Sequence, residues 1–418
     1  MRKKSMFLWS LLAAMTMSAC SEHNELPSGE VPGGNSKANF IVKLNFEGGT
    51  SMEQGGKTRA AQSTAVPETS WSNIRQVQIL LYDASNIVRF SDVVTPTAGN
   101  TTFTYTDVPA GTYTMVAIAN AKSSADAINT YLDGGTTPVE WGMWNVRQKQ
   151  VQNMVMKYKT GTFPAFCATA LAGNTAYTEP AEIFMGAVSN VVISSDATAT
   201  PSPIALKREV SLMRVRLNVK DKEGNTNNEN TAKGVDFTQD ASIMIYRLPD
   251  YLKVMAGNDG GVSATSTATN ILSISDGEVF KTAEPGAGYN PGGMILNGNF
   301  TMWRDVVVFP NNGGRVNDSA TTGTADRQRQ YFIVVSGRGK AGHILGDGTA
   351  LPSDATVYWS GVVKENFVPN VIREVNLTLR TGGSTTVPVT PTEYGGLTIT
   401  VGAPTPWDSN IVNSDIIM

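Results

Sequence analysis

The stretch "NFIVKLNFEGGTSMEQGGKTRAAQ", residues 39–62, joins two opposed pieces of chemistry. Its opening alternates, with Phe40, Val42, Leu44 and Phe46 on one side and Ile41, Lys43 and Asn45 on the other. A period of two sends successive side chains to opposite faces of a strand, so one face of this segment is made for burial. The part that follows is rich in Gly and carries Lys57 and Arg59 ahead of the small residues Ala60 and Ala61. Exposed loops of small and polar residues are where proteases nick a chain. The stretch therefore predicts a strand built into a core and tied on by a segment open to cutting.

The same two-residue rhythm recurs along the chain. In "IRQVQILLYDASNIVRF" (74–90), Val77, Ile79 and Leu81 alternate and "DASN" supplies turn residues. "TTFTYTDVPAGTYTMVAIANA" (101–121) reads as two strands joined into a hairpin at Pro109–Ala110–Gly111. "ALKREVSLMRVRLNV" (205–219) alternates with a slip of phase near Met213, which predicts a bulge. Further strand-like runs include "ASIMIYRL", "RDVVVFP", "RQYFIVVS", "TVYWSGVV" and "VIREVNLTL". A short helix is expected over "SSADAINTYLDGG" (123–135), capped by Ser124 or Asp126 and ended by Gly134. "WNVRQKQVQNMVMKYK" (144–159) fits a helix or a strand. No β-α-β alternation runs through the chain, so an all-β protein of antiparallel sandwiches with one or two short helices is the expected class.

At 418 residues the chain has room for more than one domain, and its net charge of −3 comes with scattered Lys and Arg. No basic face for phosphates forms, and nucleic acid is not an expected partner. The start, "MRKKSMFLWSLLAAMTMSAC", has a basic head and an apolar run of about 12 residues, too short to span a bilayer and suited to a signal peptide. The small residues before Cys20 resemble a bacterial lipobox, which makes Cys20 the expected lipidation site and 1–20 the signal. Residues 21–37 read as a tether. Cys167, the other of the two cysteines, is then left without a partner and is expected as a small buried apolar residue.

Chemistry-bearing motifs are sparse. The two histidines are His23 and His343, and no catalytic set, metal cluster or cofactor site is nominated. "GRGKAG" (337–342) matches a dinucleotide fingerprint but is followed by "HILGDGTALPSD", which cannot start the helix that holds a pyrophosphate. A hairpin loop is expected there. "DKEGNTNNEN" (221–230) and "GNDGG" (257–261) lack the ligand spacing of a calcium loop. "DSA" (318–320) resembles the short O-glycosylation signal used by Bacteroidetes.

The C-terminus mirrors the opening stretch. Leu397, Ile399, Val401 and Ala403 share one face of "LTITVGAPTPW" (397–407), preceded by Gly395 and Gly396 and by "TGGSTTVPVTPTE", which reads as a loose linker. The lipobox at Cys20, the Arg59–Ala60 bond, "AGTYTMVAIANA" (110–121), "ALKREVSLMRVRLNV", "VIREVNLTL" and this tail, in that order, resemble the fimbrillin family of Bacteroidales, the shaft subunits of type V pili. The resemblance implies two tandem transthyretin-like β-sandwich domains, at 60–200 and 201–418. The boundary between them is read from the residues themselves, since "SSDATATPSP" (194–203) is small, polar and proline-bearing. The resemblance also implies a propeptide, 21–59, whose strand (Phe40, Val42, Leu44, Phe46) is removed by cutting between Arg59 and Ala60, and a donor tail, about 395–418, carrying Leu397, Ile399 and Val401. Lys57 lies close enough to be the cut instead.

The partners implied are copies of the same chain, tip and anchor subunits, an arginine-specific or trypsin-like surface protease, and the outer membrane through the lipid. The products would be fibres at the cell surface that support adhesion, with no enzymatic activity. A minor or tip subunit is the alternative within the class. A surface lipoprotein that binds glycans is the alternative outside it, with Trp141, Trp144, Trp303 and Trp359 as the aromatic candidates.

Overall fold

The computed structural model describes residues 37–46, 71–120, 150–151, 154–218, 234–249, 251–254, 269–282, 302–311, 330–389 and 395–407, and the backbone of 128–131 and 138–139. Cys20, Lys57, Arg59, Ala60, Trp141, Trp144, the loops 221–230 and 257–261, and "DSA" at 318–320 lie outside the described residues.

Four sheets hold the described strands. The first has seven strands in the order β3 (Val88–Val94), β2 (Val77–Tyr82), β5 (Gly111–Ala119), β10 (Phe184–Ile193), β11 (Ile204–Arg208), β1 (Lys37–Phe46), β4 (Thr102–Pro109). The second runs β17 (Met302–Val308), β12 (Ser211–Asn218), β20 (Val371–Leu379), β21 (Leu397–Val401), with β22 (Thr405–Pro406) also on β20. The third runs β13 (Val235–Asp236), β18 (Tyr331–Gly339), β14 (Ser242–Tyr246), β16 (Asn270–Ile274), β9 (Thr175–Tyr177), with β19 (Ala355–Val363) on β18. The fourth is small: β15 (Leu252–Lys253), β8 (Val155–Tyr158), β6 (Ile128–Tyr131), β7 (Pro138–Val139). Most pairs are antiparallel, as expected of sandwiches, but β1–β11, β12–β20 and β9–β16 are parallel.

The seven-stranded sheet folds over on itself. Phe90 of β3 meets Tyr105 of β4 edge to face at 4.9 Å, so its two outer strands approach each other. The space enclosed is an apolar core of its own, which takes in Val77, Ile79 and Leu81 from β2, Met115 and Ala117 from β5, and the inward face of β1. The opposite faces of β2 and β5, through Leu80, Val116 and Ile118, join a second core shared with the second and third sheets, including Val215, Ile333 and Trp359. Strands β2 and β5 are thus buried on both faces. A third cluster lies under α1 (Ala165–Ala168), where Cys167 and Leu171 cover Met244, Tyr246 and Val334.

Several expectations change. Ile128–Tyr131, placed in a helix by reading "SSADAINTYLDGG", is a strand paired with β8 and β7. Tertiary pairing overrides helix propensity there, and the only other described residues of the open 144–159 segment form β8 and its lead-in. Strands β4 and β5 are not a hairpin: β4 pairs with β1, and β5 lies between β2 and β10. Both edges of β5 are taken by β2 and β10, so the Pro109–Gly111 turn carries the chain from β4 to the other part of the sheet instead. The Tyr113 hydroxyl braces that turn by donating to the Pro109 carbonyl at 3.0 Å.

No bulge interrupts β12. Its ladder with β17 runs unbroken from Ser211–Val308 to Leu217–Met302, and that with β20 from Leu212–Ile372 to Asn218–Thr378. Apolar alternation fades because both faces are buried, one of them holding Arg214 and Arg216 neutralised by Asp305 and Glu374. Residues 381–389 are not a loose linker either. The Trp359 indole donates to the Thr381 carbonyl, Ser384 bridges Tyr358, and the Tyr246 hydroxyl donates to the Pro388 carbonyl at 2.8 Å. Gly382 and Gly383 permit that docking, since a Cβ at either would collide with the Ile344 carbonyl or with Val357 and Trp359.

Other readings hold. "DASN" turns β2 into β3, with Asn86 at φ +61° and its N–H donating to the Asp83 carbonyl. "GRGKAG" lies across the end of β18 and the turn toward β19, with Gly342 at φ +86°. Cys167 is free and buried, and burial pushes its thiol pKa up to about 11. Iodoacetamide at about pH 8 is therefore expected to leave the native chain unlabelled and to label it after denaturation in urea. Labelling of the folded chain would show that the α1 cover opens.

Candidate strand-exchange site

The site is built around β1. Its ten residues alternate between solvent and core, and Phe40, Val42, Leu44 and Phe46 are between 0% and 3% exposed. Ala38 shares that face, so the buried row is one residue longer than the sequence pattern drawn from Phe40 onward. Phe46 packs on Trp71 at 4.6 Å and on Phe184 at 5.7 Å between ring centroids, and Phe40 stacks on Tyr105 at 6.4 Å.

The position of β1 in its sheet matters more than its burial. It is an interior strand, antiparallel to β4 from Lys37–Pro109 to Lys43–Thr102 and parallel to β11 from Leu44–Ile204 to Phe46–Leu206. Further up, the Ile41 N–H donates to the Ala199 carbonyl at 2.9 Å and the Ala199 N–H donates to that of Asn39 at 3.0 Å. Taking β1 away would leave two facing strands with unmet backbone groups around an apolar trench, which is the geometry that accepts an added strand. No sequence signal placed β11, counted with the second half of the chain, against β1. Its parallel pairing is a long-range choice that period-two patterns do not encode.

The tail is docked on its own second sheet. β21 pairs antiparallel with β20, from Leu379–Leu397 to Val375–Val401, and forms an edge. Leu397 is buried, while Ile399 and Val401 are half-buried against the shared core. Gly396 at φ +84° turns the chain into the strand, and the Gly395 carbonyl accepts from the Ser360 N–H at 2.7 Å. Beyond β22, Trp407 is buried and its N–H donates to the Asn370 carbonyl at 3.0 Å.

The glycan-platform candidates fare differently. Trp303 and Trp359 are 2% and 0% exposed, as core residues, so neither can offer a face to a sugar. Among the described residues there is no group of three His, Cys, Asp or Glu side chains placed to hold a metal, and no helix is long and apolar enough to cross a membrane.

A folded-over β-sheet completed by its own leading strand, with a one-sided strand docked at the far end of the chain, defines an all-β sandwich protein. The chain belongs to the family of fimbrillin-A associated anchor proteins Mfa1 and Mfa2, whose model matches residues 30–348. No curated protein relative matches it. Among solved structures, a candidate cell adhesion protein from Bacteroides eggerthii DSM 20697 is similar at 14% identity, with 90% of this chain and 97% of that one covered and a TM-score of 0.44. A fimbrilin from Porphyromonas gingivalis W83 is similar at 15% identity, with 89% and 98% covered and a TM-score of 0.39.

Proposed function

We propose that this chain is a structural subunit of a cell-surface fimbrium that polymerises by donor-strand exchange. In this reading it is exported as a lipoprotein acylated at Cys20, reaches the outer membrane, and is cut between Arg59 and Ala60 by an arginine-specific or trypsin-like protease. The freed propeptide takes β1 with it, and the tail of another copy, through Leu397, Ile399 and Val401, fills the trench between β4 and β11. The fibre then supports adhesion. The observation that carries the proposal is the interior position of a terminal strand whose inward side chains are almost fully buried. Two sandwich modules divided near residue 200 fit the presence of a separate core inside the first sheet, with β11 reaching back into that sheet.

The energetics explain why a cut is needed. Burying the four large inward side chains of β1 is worth roughly 6–12 kcal/mol at about 1.5–3 each, so an intact leader is not displaced. The donor offers Leu, Ile and Val where the leader offers two Phe, so side-chain area does not drive the swap. Loss of the freed leader by dilution drives it, through mass action. Donor and acceptor are different surfaces, so the contact is heterologous and grows an open filament.

Treating the uncut monomer with a trypsin-like protease is expected to yield ladders on a non-reducing gel. A chain that is cut at 57 or 59, keeps its tail and stays monomeric would remove the shaft role. The N-terminus of the surface-recovered protein separates the roles within the family. Ala60 marks a processed shaft subunit, and an acylated Cys20 marks an anchor that keeps β1.

A further inference from the structure

Arg208 closes β11, the parallel neighbour of β1, and stands directly across the ladder from Phe184 of β10. It is fully buried. Its guanidinium lies over the Phe184 ring at 4.7 Å and over the Trp407 ring at 4.0 Å. Glu182 Oε2 accepts from its Nη2 at 3.0 Å and Nε at 3.2 Å, and Asn370 Oδ1 accepts from Nη1 at 3.3 Å. Phe184 also packs against Phe46, the last inward residue of β1, with the rings tilted by 60° at 5.7 Å. One chain of contacts therefore runs Phe46, Phe184, Arg208, Trp407, from the end of the leader strand to the end of the described tail. The Trp407 indole N–H is buried without an acceptor among the described residues, so its docking leans on these contacts and on those of its main chain.

We infer that Arg208 is a latch that couples the leader to the tail: while β1 is in place, Phe46 holds Phe184 under the guanidinium and Arg208 holds Trp407, and departure of β1 loosens Trp407 and frees the tail. This regulation rests on the strand-exchange reading above. It would keep the donor docked on each copy until that copy's own acceptor trench has been opened. Sterically, Phe46 is the only buried β1 side chain that touches Phe184 by ring contact among the described residues. A flat guanidinium between two rings is also a site where lysine does not substitute for arginine, because an ammonium cannot stack.

Amide hydrogen exchange of the uncut chain tests the latch without any cleavage. Phe46→Ala is expected to speed exchange at Leu397–Val401 and Trp407 by about tenfold or more. Val42→Ala, which trims an inward side chain of the same strand away from those contacts, is expected to leave those amides at the wild-type rate. Arg208→Lys, chosen to keep the charge and the fold, is expected to match Phe46→Ala. Tail exchange unchanged in Phe46→Ala and Arg208→Lys, or raised equally by Val42→Ala, would overturn the latch. Ladder formation after cutting is scored separately. A tail loosened by Phe46→Ala without ladders keeps the latch and removes the shaft role, and ladders with an unmoved tail do the reverse.

Discussion

Phe40→Ala is expected to lower the stability of the uncut chain by about 3–5 kcal/mol, the usual cost of emptying a fully buried phenylalanine site, and to leave an assembled fibre unaffected. The first half follows from geometry. Phe40 is 0% exposed in an interior strand, stacked on Tyr105, and flanked by paired backbone on both sides, β4 on one and the Ala199 bridge on the other. The second half follows from the proposed exchange, in which Phe40 leaves with the propeptide. Urea denaturation of the uncut monomer, followed by denaturation of fibres grown from cut wild-type and variant chains, gives both numbers. A variant whose fibres are as weakened as its monomer would show that β1 stays in the assembled subunit. That outcome favours a role in which the leading strand is retained. Cutting is also expected to be faster in the variant, because a strand held less tightly exposes its following loop more often.

The second large effect is expected at Arg214. It is fully buried and makes a two-pronged bond to Asp305, Nε to Oδ1 at 2.7 Å and Nη2 to Oδ2 at 2.8 Å, directly across the β12–β17 ladder. On the β20 side, Arg216 pairs with Glu374 at 3.0 Å and donates to Asn376 at 2.7 Å. Arg214→Ala strands Asp305, only 14% exposed, beside other buried polar groups. The expected loss is about 3–5 kcal/mol, because an uncompensated buried charge costs more than the pair contributed. The double variant Arg214→Met with Asp305→Leu is expected to recover most of the loss. Thermal denaturation of the three chains checks this. Equal melting temperatures for the single and double variants would mean that apolar packing cannot replace the pair here. Polymerisation of the double variant is expected to be normal, since neither residue lines the β1 trench or the tail.

These two positions also show what a linear reading reaches. Phe40 was legible because its neighbours at two-residue intervals are apolar and the residues between them, Ile41 apart, are polar. Arg214 was not, because β12 is buried on both faces and its charges are paired by residues about 90 and 160 positions away. The phase slip that suggested a bulge was the trace of that second buried face. The helix expected over residues 123–135 failed for a related reason at Ile128–Tyr131, where a partner strand at Val155–Tyr158 outweighed local propensity. The supposed loose linker is docked through glycines whose close approach to Ile344, Val357 and Trp359 no composition rule reveals.

Short stretches of residues were enough for the all-β class, the inward face of the leading strand, the one-sided tail as far as Val401 (Ala403 is exposed beyond the strand), and the turn chemistry at Asp83–Asn86 and Gly337–Gly342. Each is set within a few residues, by side-chain period or by backbone freedom. The assembled sheets alone reveal that β1 is an interior strand, that its neighbour is β11, and that a buried arginine joins its core to the tail. Those features depend on which distant strands pair, and pairing is chosen by the total area and hydrogen bonding of the finished sheets, which no single stretch of chain contains.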